Sequence, residues 1–336
     1  MTWLAWRSQR LQLLVCVAAV ALVAAELAWS GTALHSAALA QHHFCSNNGT
    51  SFRCAQAVAR VTDVSRWVFN DRIALLVLPG VLGLVLGAPL VAREIEQGTN
   101  RLAWTQSIGR TRWLVIKLLL AGLLIAAVVG AIDPLLEWWN TAVQNDPRID
   151  PGSFSVTGFV DVGYALFAFM LGTALGSIIR RTGWAVAAGV PLFVGFRYWV
   201  MELRPHFAPV AVTSLGSAFA QVGGGTQGLL QVSFSNLQAR SWFIANGFVP
   251  DGRTSPGPGQ NWNTGLDSVD RCLGASSNPS SAAVRRCAEQ LKLHWIVQYQ
   301  PASHFWALQT VETAVFVGAA LVLCGITVVS VQRWRT

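Results

Sequence analysis

Lysine is nearly missing from this chain. Of 336 residues only Lys117 and Lys292 are lysine, and arginine supplies the rest of the 24 basic side chains. Neither lysine follows a Gly-x-x-x-x-Gly run, so the chain lacks a phosphate loop and cannot hydrolyse ATP by that mechanism. Charge of either sign is scarce: charged residues make up 12% of the chain and hydrophobic residues 53%. That charged share is about half of what a soluble domain carries, and a soluble core does not account for it. Catalytic signatures are lacking as well, with no Gly-x-Ser-x-Gly, no His-Glu-x-x-His and no Cys-x-x-Cys. A net charge of +8 would point to nucleic acid in a soluble protein, but here the basic residues sit elsewhere.

What the chain has instead is apolar length. Crossing about 30 Å of hydrocarbon takes about 20 residues, and six segments reach it: 11–30, 73–92, 113–132, 160–179, 184–200 and 305–329. With the N-terminus inside, the inner pieces become 1–10, 93–112, 180–183 and 331–336. They hold Arg7, Arg10, Arg93, Arg101, Arg110, Arg112, Arg180, Arg181, Arg333 and Arg335, against only Glu94 and Glu96. The density of arginine on short inner loops follows the positive-inside rule. The expectation is therefore an all-α, multi-pass membrane protein with both termini cytoplasmic, lipid around it and no nucleic-acid partner. Its transmembrane domain takes up 1–200 and 304–336.

Two outer segments result from that topology. The first, 31–72, has helical spacing at Val58, Val61, Val64 and Trp67, which predicts an amphipathic helix along the outer face. The second, 203–303, is long enough for a small lobe, and within it Ala282 to Tyr299 reads as a helical run. Trp138 and Trp139, after Asp133-Pro134, read as interface anchors. Cys45, Cys54, Cys272 and Cys287 fall outside and allow three pairings. The sequence-local one, Cys45–Cys54 and Cys272–Cys287, is favoured. His42, His43 and Cys45 lack a fourth ligand and regular spacing, so no metal site is assigned. Gly80, Gly83 and Gly87 in the second span, and Gly172-x-x-x-Gly176 in the fourth, suit close helix packing.

The polar island 93–112 lies between the second and third spans. Gly98 can stop one helix, Thr99 can cap another and Gly109 can end it. Residues 100–108 then form a short helix of roughly 14 Å, with Arg101, Leu102 and Trp104 on it. The motif Glu94-x-Glu96-x-Gly98-Thr99, then Arg101-Leu102-x-Trp104-Thr105-Gln106-Ser107, Arg110-x-Arg112-Trp113 and Lys117, resembles the permeases of ATP-binding-cassette (ABC) transporters, and more narrowly the type-2 exporter permeases of actinobacteria. Tyr299-Gln300-Pro301, followed by Glu312, resembles the same group, although His304 stands where arginine was expected. The resemblance implies that Glu94, Glu96, Gly98, Thr99, Arg101, Leu102 and Trp104 form a coupling helix region that docks into a separate ATPase subunit. It also implies that ATP and Mg bind that partner, with no cofactor in this chain. A second permease copy or a homologue would complete the pathway for an amphiphilic or drug-like substrate. Without the resemblance, the island reads as an amphipathic loop on lipid headgroups.

Glu26, Asp133, Asp161, Arg197, Glu202 and Glu312 are the polar residues in or near the spans, where charge is costly and often functional. Glu312 lies deepest; it is expected either to pair with Arg197 or Arg204, or to line a substrate path with Arg197. Two other readings compete with the permease. One is an ATP-independent sensor or assembly factor that binds a ligand through the outer lobe. The other is a membrane enzyme acting on lipid-linked substrates, which would need clustered carboxylates or histidines.

Overall fold

The computed structural model describes residues 2–45, 51–96, 110–143, 148–215, 222–224, 230–232, 241–257, 260–274 and 281–333. They fall into two compact units: Met1–Asn145, Gly152–Arg204 and Leu308–Thr336 make the first, and Asp146–Pro151 with Pro205–Ala307 the second.

The first unit is a helical bundle. Helix α1 (Thr2–Cys45) has 44 residues and α2 (Phe52–Glu96) has 45. At about 1.5 Å per residue each is about 66 Å long, twice what hydrocarbon requires. They pair as a hairpin whose tip is closed by the Cys45–Cys54 disulfide. The spacing of Val58, Val61 and Val64 is helical as expected, but among the described residues they belong to one long helix rather than to a separate surface helix. Residues 55–70 continue without a break into the apolar stretch after Leu75. Val61 and Val64 turn inward against α1 rather than toward a headgroup layer.

Helix α3 (Arg110–Gly130) is followed after one turn by α4 (Asp133–Val143). The connection expected at Asp133-Pro134 is thus helical again, since proline suits a helix's first turn. Helix α4 is strongly amphipathic and lays Leu136 and Trp139 on Leu27, Leu34 and Leu75. Trp139 is not an interface anchor: it is fully buried, and its indole N–H donates to Ser30 Oγ at 3.0 Å. A buried indole needs such an acceptor. Trp138, one residue before it, is exposed.

Helices α5 (Val160–Ile179) and α6 (Thr182–Leu203) are joined by a turn in which Arg180 takes φ 59° and its N–H bonds Gly176 O at 3.0 Å. Further along the chain α9 (Phe305–Gln332) completes the set. Among the described residues five helical stretches are long and apolar enough to cross a membrane: Leu75–Glu96, Thr111–Trp139, Val160–Ile179, Thr182–His206 and Ala302–Gln332. The stretch expected at 11–30 lies within α1. The stretches in α5 and α2 are 72% and 61% buried, whereas the others stay at 28% or below, so α2 and α5 form the axis. Their contact is backbone to backbone. A Cβ on Gly87 would run into the Phe169 carbonyl, one on Gly83 into Ala165 and Ala168, and one on Gly176 into the Ala88 carbonyl. Lipid gives no hydrophobic drive between helices, so close approach through small residues supplies the packing. Leu119 and Leu123 on α3 and Leu321 on α9 point outward, as lipid-facing residues do.

The second unit corrects the all-α expectation. It contains an antiparallel sheet in the order β1-β5-β4, built from β1 (Ala211–Leu215), β4 (Ser241–Pro250) and β5 (Leu293–Pro301), plus a small hairpin of β2 (Val222–Gly224) and β3 (Leu230–Val232). Helices α7 (Trp262–Leu273) and α8 (Ser281–Gln290) pack on it around Phe248, Val269, Val284, Trp295 and Val297. The helical run read over Ala282 to Tyr299 breaks at Lys292, whose φ is 50°. Beyond that break, Trp295-Ile296-Val297 is the β-branched and aromatic material that a strand favours. The Cys272–Cys287 disulfide staples α7 to α8.

Two outcomes test this fold. Gly87→Val should cost about 1–3 kcal/mol, as overpacking does, and lower the unfolding temperature of detergent-solubilised protein. Gly318→Val, where an added Cβ meets nothing within 4 Å, should not. Separately, Cys272→Ser and Cys287→Ser should each destabilise by a similar amount, and the double variant by no more. A 15-residue separation corresponds to about 3 kcal/mol. Additive losses in denaturant titration would contradict the pairing.

Candidate functional site

Polar chemistry in the bundle concentrates at two ends. At the end reached by the start of α9, Glu312 is fully buried. Arg204, which follows the last residue of α6, meets it as a fork: Nε donates to Oε2 at 2.6 Å and Nη2 to Oε1 at 2.8 Å. Tyr164 on α5 donates its hydroxyl to Glu312 Oε1 at 2.5 Å and accepts from Arg204 Nη2 at 3.2 Å. The guanidinium carbon of Arg204 stands 4.5 Å from the Phe154 ring centroid. Two-point geometry with further hydrogen bonds is what lets a buried ion pair repay its desolvation.

Arg197, about two turns earlier on α6, is buried too. It donates to the carbonyl of Leu76 on α2, and its guanidinium carbon lies 4.1 Å from the Tyr164 ring centroid. Its Nη2 has no hydrogen-bond partner among the described residues, and neither has Oδ1 of the buried Asp161. Asp161 lies within Coulombic range of Arg197, Asp133 and Glu312. Beside this cluster Gln309, three residues before Glu312 and thus on the same helix face, holds the 154–160 segment. Its amide donates to Phe154 O at 3.2 Å and Thr157 O at 2.8 Å, and its oxygen accepts from Val160 N at 3.0 Å. Glu26 and Glu202 are exposed.

At the opposite end, α2 finishes beside the starts of α3 and α6. Glu94 forms an ion pair with the buried Lys117 of α3, which also donates to Leu90 O at 3.3 Å and lies 4.8 Å from the Trp113 ring centroid. Glu96 reaches α6: Oε1 accepts from the Thr182 backbone N–H at 2.8 Å and Oε2 from its hydroxyl at 3.2 Å. Gln332 of α9 donates to Thr111 Oγ1 at 3.2 Å at this end as well. The other residues assigned to the coupling region, Gly98, Thr99, Arg101, Leu102 and Trp104, lie outside the described residues, as does the helix expected at 100–108.

The family model described as ABC-2 membrane transporter related matches residues 17–204, from α1 to the Arg204 of the buried cluster. The chain belongs to that family. No characterised protein and no solved structure matches it. ABC-2 permeases are multi-pass membrane subunits that are typically non-catalytic and generally partner with an ATPase subunit. Among the described residues of this ABC-2 chain, no group of three or more His, Cys, Asp or Glu could hold a metal ion, and Cys45 is engaged in its disulfide.

Sequence reasoning singled out Glu312 and Arg197 but missed Tyr164, Gln309 and Thr182. Gln309 was detectable, since it shares a face with Glu312 in an otherwise apolar helix. Tyr164 and Thr182 carried no signal, because their partners are 148 and 86 residues away.

In detergent, Glu312→Leu or Arg204→Met alone should destabilise the bundle by about 3–5 kcal/mol, because each strands a buried charge. The double variant should lose much less than the sum. A mutant cycle on unfolding free energy that came out additive would exclude the fork as the interaction.

Proposed function

We propose that this ABC-2 family member is the permease subunit of an ATP-driven exporter that carries an amphiphilic or drug-like substrate across a bacterial plasma membrane. The observation that carries the reading is the family match over 17–204, which encloses the 93–112 segment with its Glu-x-Glu-x-Gly-Thr motif. In this reading the termini face the cytoplasm, as the arginine-rich loops favour. Residues 93–112 receive a separate ATPase subunit, which binds ATP and Mg. Closure of the ATPases on nucleotide pushes the segment, and the bundle switches access from the inner leaflet or cytoplasm outward. Two copies, or this chain with a homologue, enclose the path. The buried cluster of Glu312 and Arg197 lies in the bundle beside that path, and Arg197 retains an unused donor that a polar substrate group could engage.

Purification in mild detergent from the native membrane, with mass spectrometry of what accompanies the chain, tests this. The expected result is a stoichiometric ATPase subunit that is lost when 98–104 is replaced by a Gly/Ser linker. A chain that comes out alone, or with a partner lacking ATPase activity, would instead favour a sensor or assembly factor working through the lobe.

A further inference from the structure

Glu94 and Glu96 are the last acids before residues 97–109 and stand at the head of the motif on which docking is proposed. Their carboxylates are turned toward their own chain. Glu94 is committed to Lys117, a buried ammonium that also donates to Leu90 O and lies beside the Trp113 ring. Glu96 is committed to Thr182. Helix α6 begins with Arg181 at its N-cap in extended conformation, and that residue makes no side-chain cap bond. The first N–H groups of a helix have no partner within it and attract negative charge. Glu96, arriving from α2, supplies both the oxygen and the charge that the local sequence omits.

We infer that Glu94 and Glu96 form an intrachain bracket rather than a docking contact: they fasten the base of the 97–109 segment to α3 and α6 at once. Resting on the permease reading for what moves that segment, the bracket assigns positioning roles to Lys117 and Thr182, which lie outside the motif's acids. Displacement of the segment then reaches α3 through the Lys117 ammonium and α6 through its capped N-terminus. One to two turns before Glu96, α2 also touches the end of α5, where Gly176 meets Ala88 and Ala92, so α3, α5 and α6 all meet α2 near the bracket. A docking contact that drew Glu94 away from Lys117 would strand a buried cation.

Thr182→Pro isolates the bracket. It deletes both donors that Glu96 uses, yet proline is accommodated at the first position of a helix, and the extended Arg181 before it is the conformation that proline favours. The test compares wild type, Glu96→Ala and Thr182→Pro as full-length chains purified with whatever partner they retain. It reads amide exchange over 182–190 with and without ATP, together with partner stoichiometry. The bracket requires both variants to keep the ATPase subunit and to lose the nucleotide-dependent change in exchange, with the double variant no worse than either. Release of the ATPase by Glu96→Ala, while Thr182→Pro behaves as wild type, would make Glu96 a docking residue and overturn the bracket. If wild type carries no ATPase, the permease reading fails. Exchange at the Thr182 amide then decides the bracket by itself: about tenfold faster exchange in Glu96→Ala supports it, and unchanged protection overturns it.

Discussion

The contact between α2 and α5 positions nearly everything else in the bundle. Gly83 and Gly87 on one helix and Gly172 and Gly176 on the other bring the backbones together without intervening side chains. Lipid competes with protein for apolar side chains on equal terms, so a membrane bundle gains order from tight backbone approach and from polar pairs that lipid cannot satisfy. Both are stacked along this one axis. The glycines run through the middle, and the polar pairs sit at the two ends, where α5 and α2 meet the more exposed helices α3, α6 and α9.

The two ends use charge differently. Around Glu312 the pairing is dense and buried: a forked arginine and a tyrosine hydroxyl share one carboxylate, and the Phe154 ring faces the arginine. Its members come from α5, α9 and the residue just past α6, so the interaction fixes where those chain segments stand relative to one another. At the other end Glu94 ties α2 to Lys117 of α3 and Glu96 ties it to Thr182 of α6, and the Glu96 carboxylate is exposed.

How much of this was legible in the sequence depends on whether the signal was local. Apolar runs at 160–179 and 305–329 coincide with helices Val160–Ile179 and Phe305–Gln332 because a buried or lipid-facing helix is written in consecutive residues. The glycine pairs and the neighbouring cysteines were legible for the same reason. The continuity of α2 was not, because polar residues at 55–72 suggested a change of element where there was only a change of surroundings. The lobe's sheet was hidden by a short, helix-favouring run at Ala282–Gln290 that flows directly into β5. Trp139 was misread because an indole at a span's end usually marks an interface, and only the tertiary position of Ser30 turns it inward. The candidate site divides likewise: Glu312 announces itself by being charged in an apolar helix, while Tyr164 and Thr182 acquire meaning only from partners far along the chain.

Gln300, in the Tyr-Gln-Pro element, closes the neck of the second unit. Its amide donates to Pro205 O at 3.0 Å and Ala208 O at 2.9 Å, and its oxygen meets His304 Nδ1 at 2.7 Å. The strand that leaves the unit is thereby pinned to the segment that begins it, and the family match stops at Arg204, one residue before that segment. The Pro205–Ala307 part of the unit is therefore an excursion whose two ends are tied together. Closing a loop costs free energy only as the logarithm of its length, about 0.6 kcal/mol for each doubling. Such an excursion can lengthen, shrink or be exchanged over evolutionary time while the helical bundle keeps its register, which makes it the part of the molecule freest to diverge.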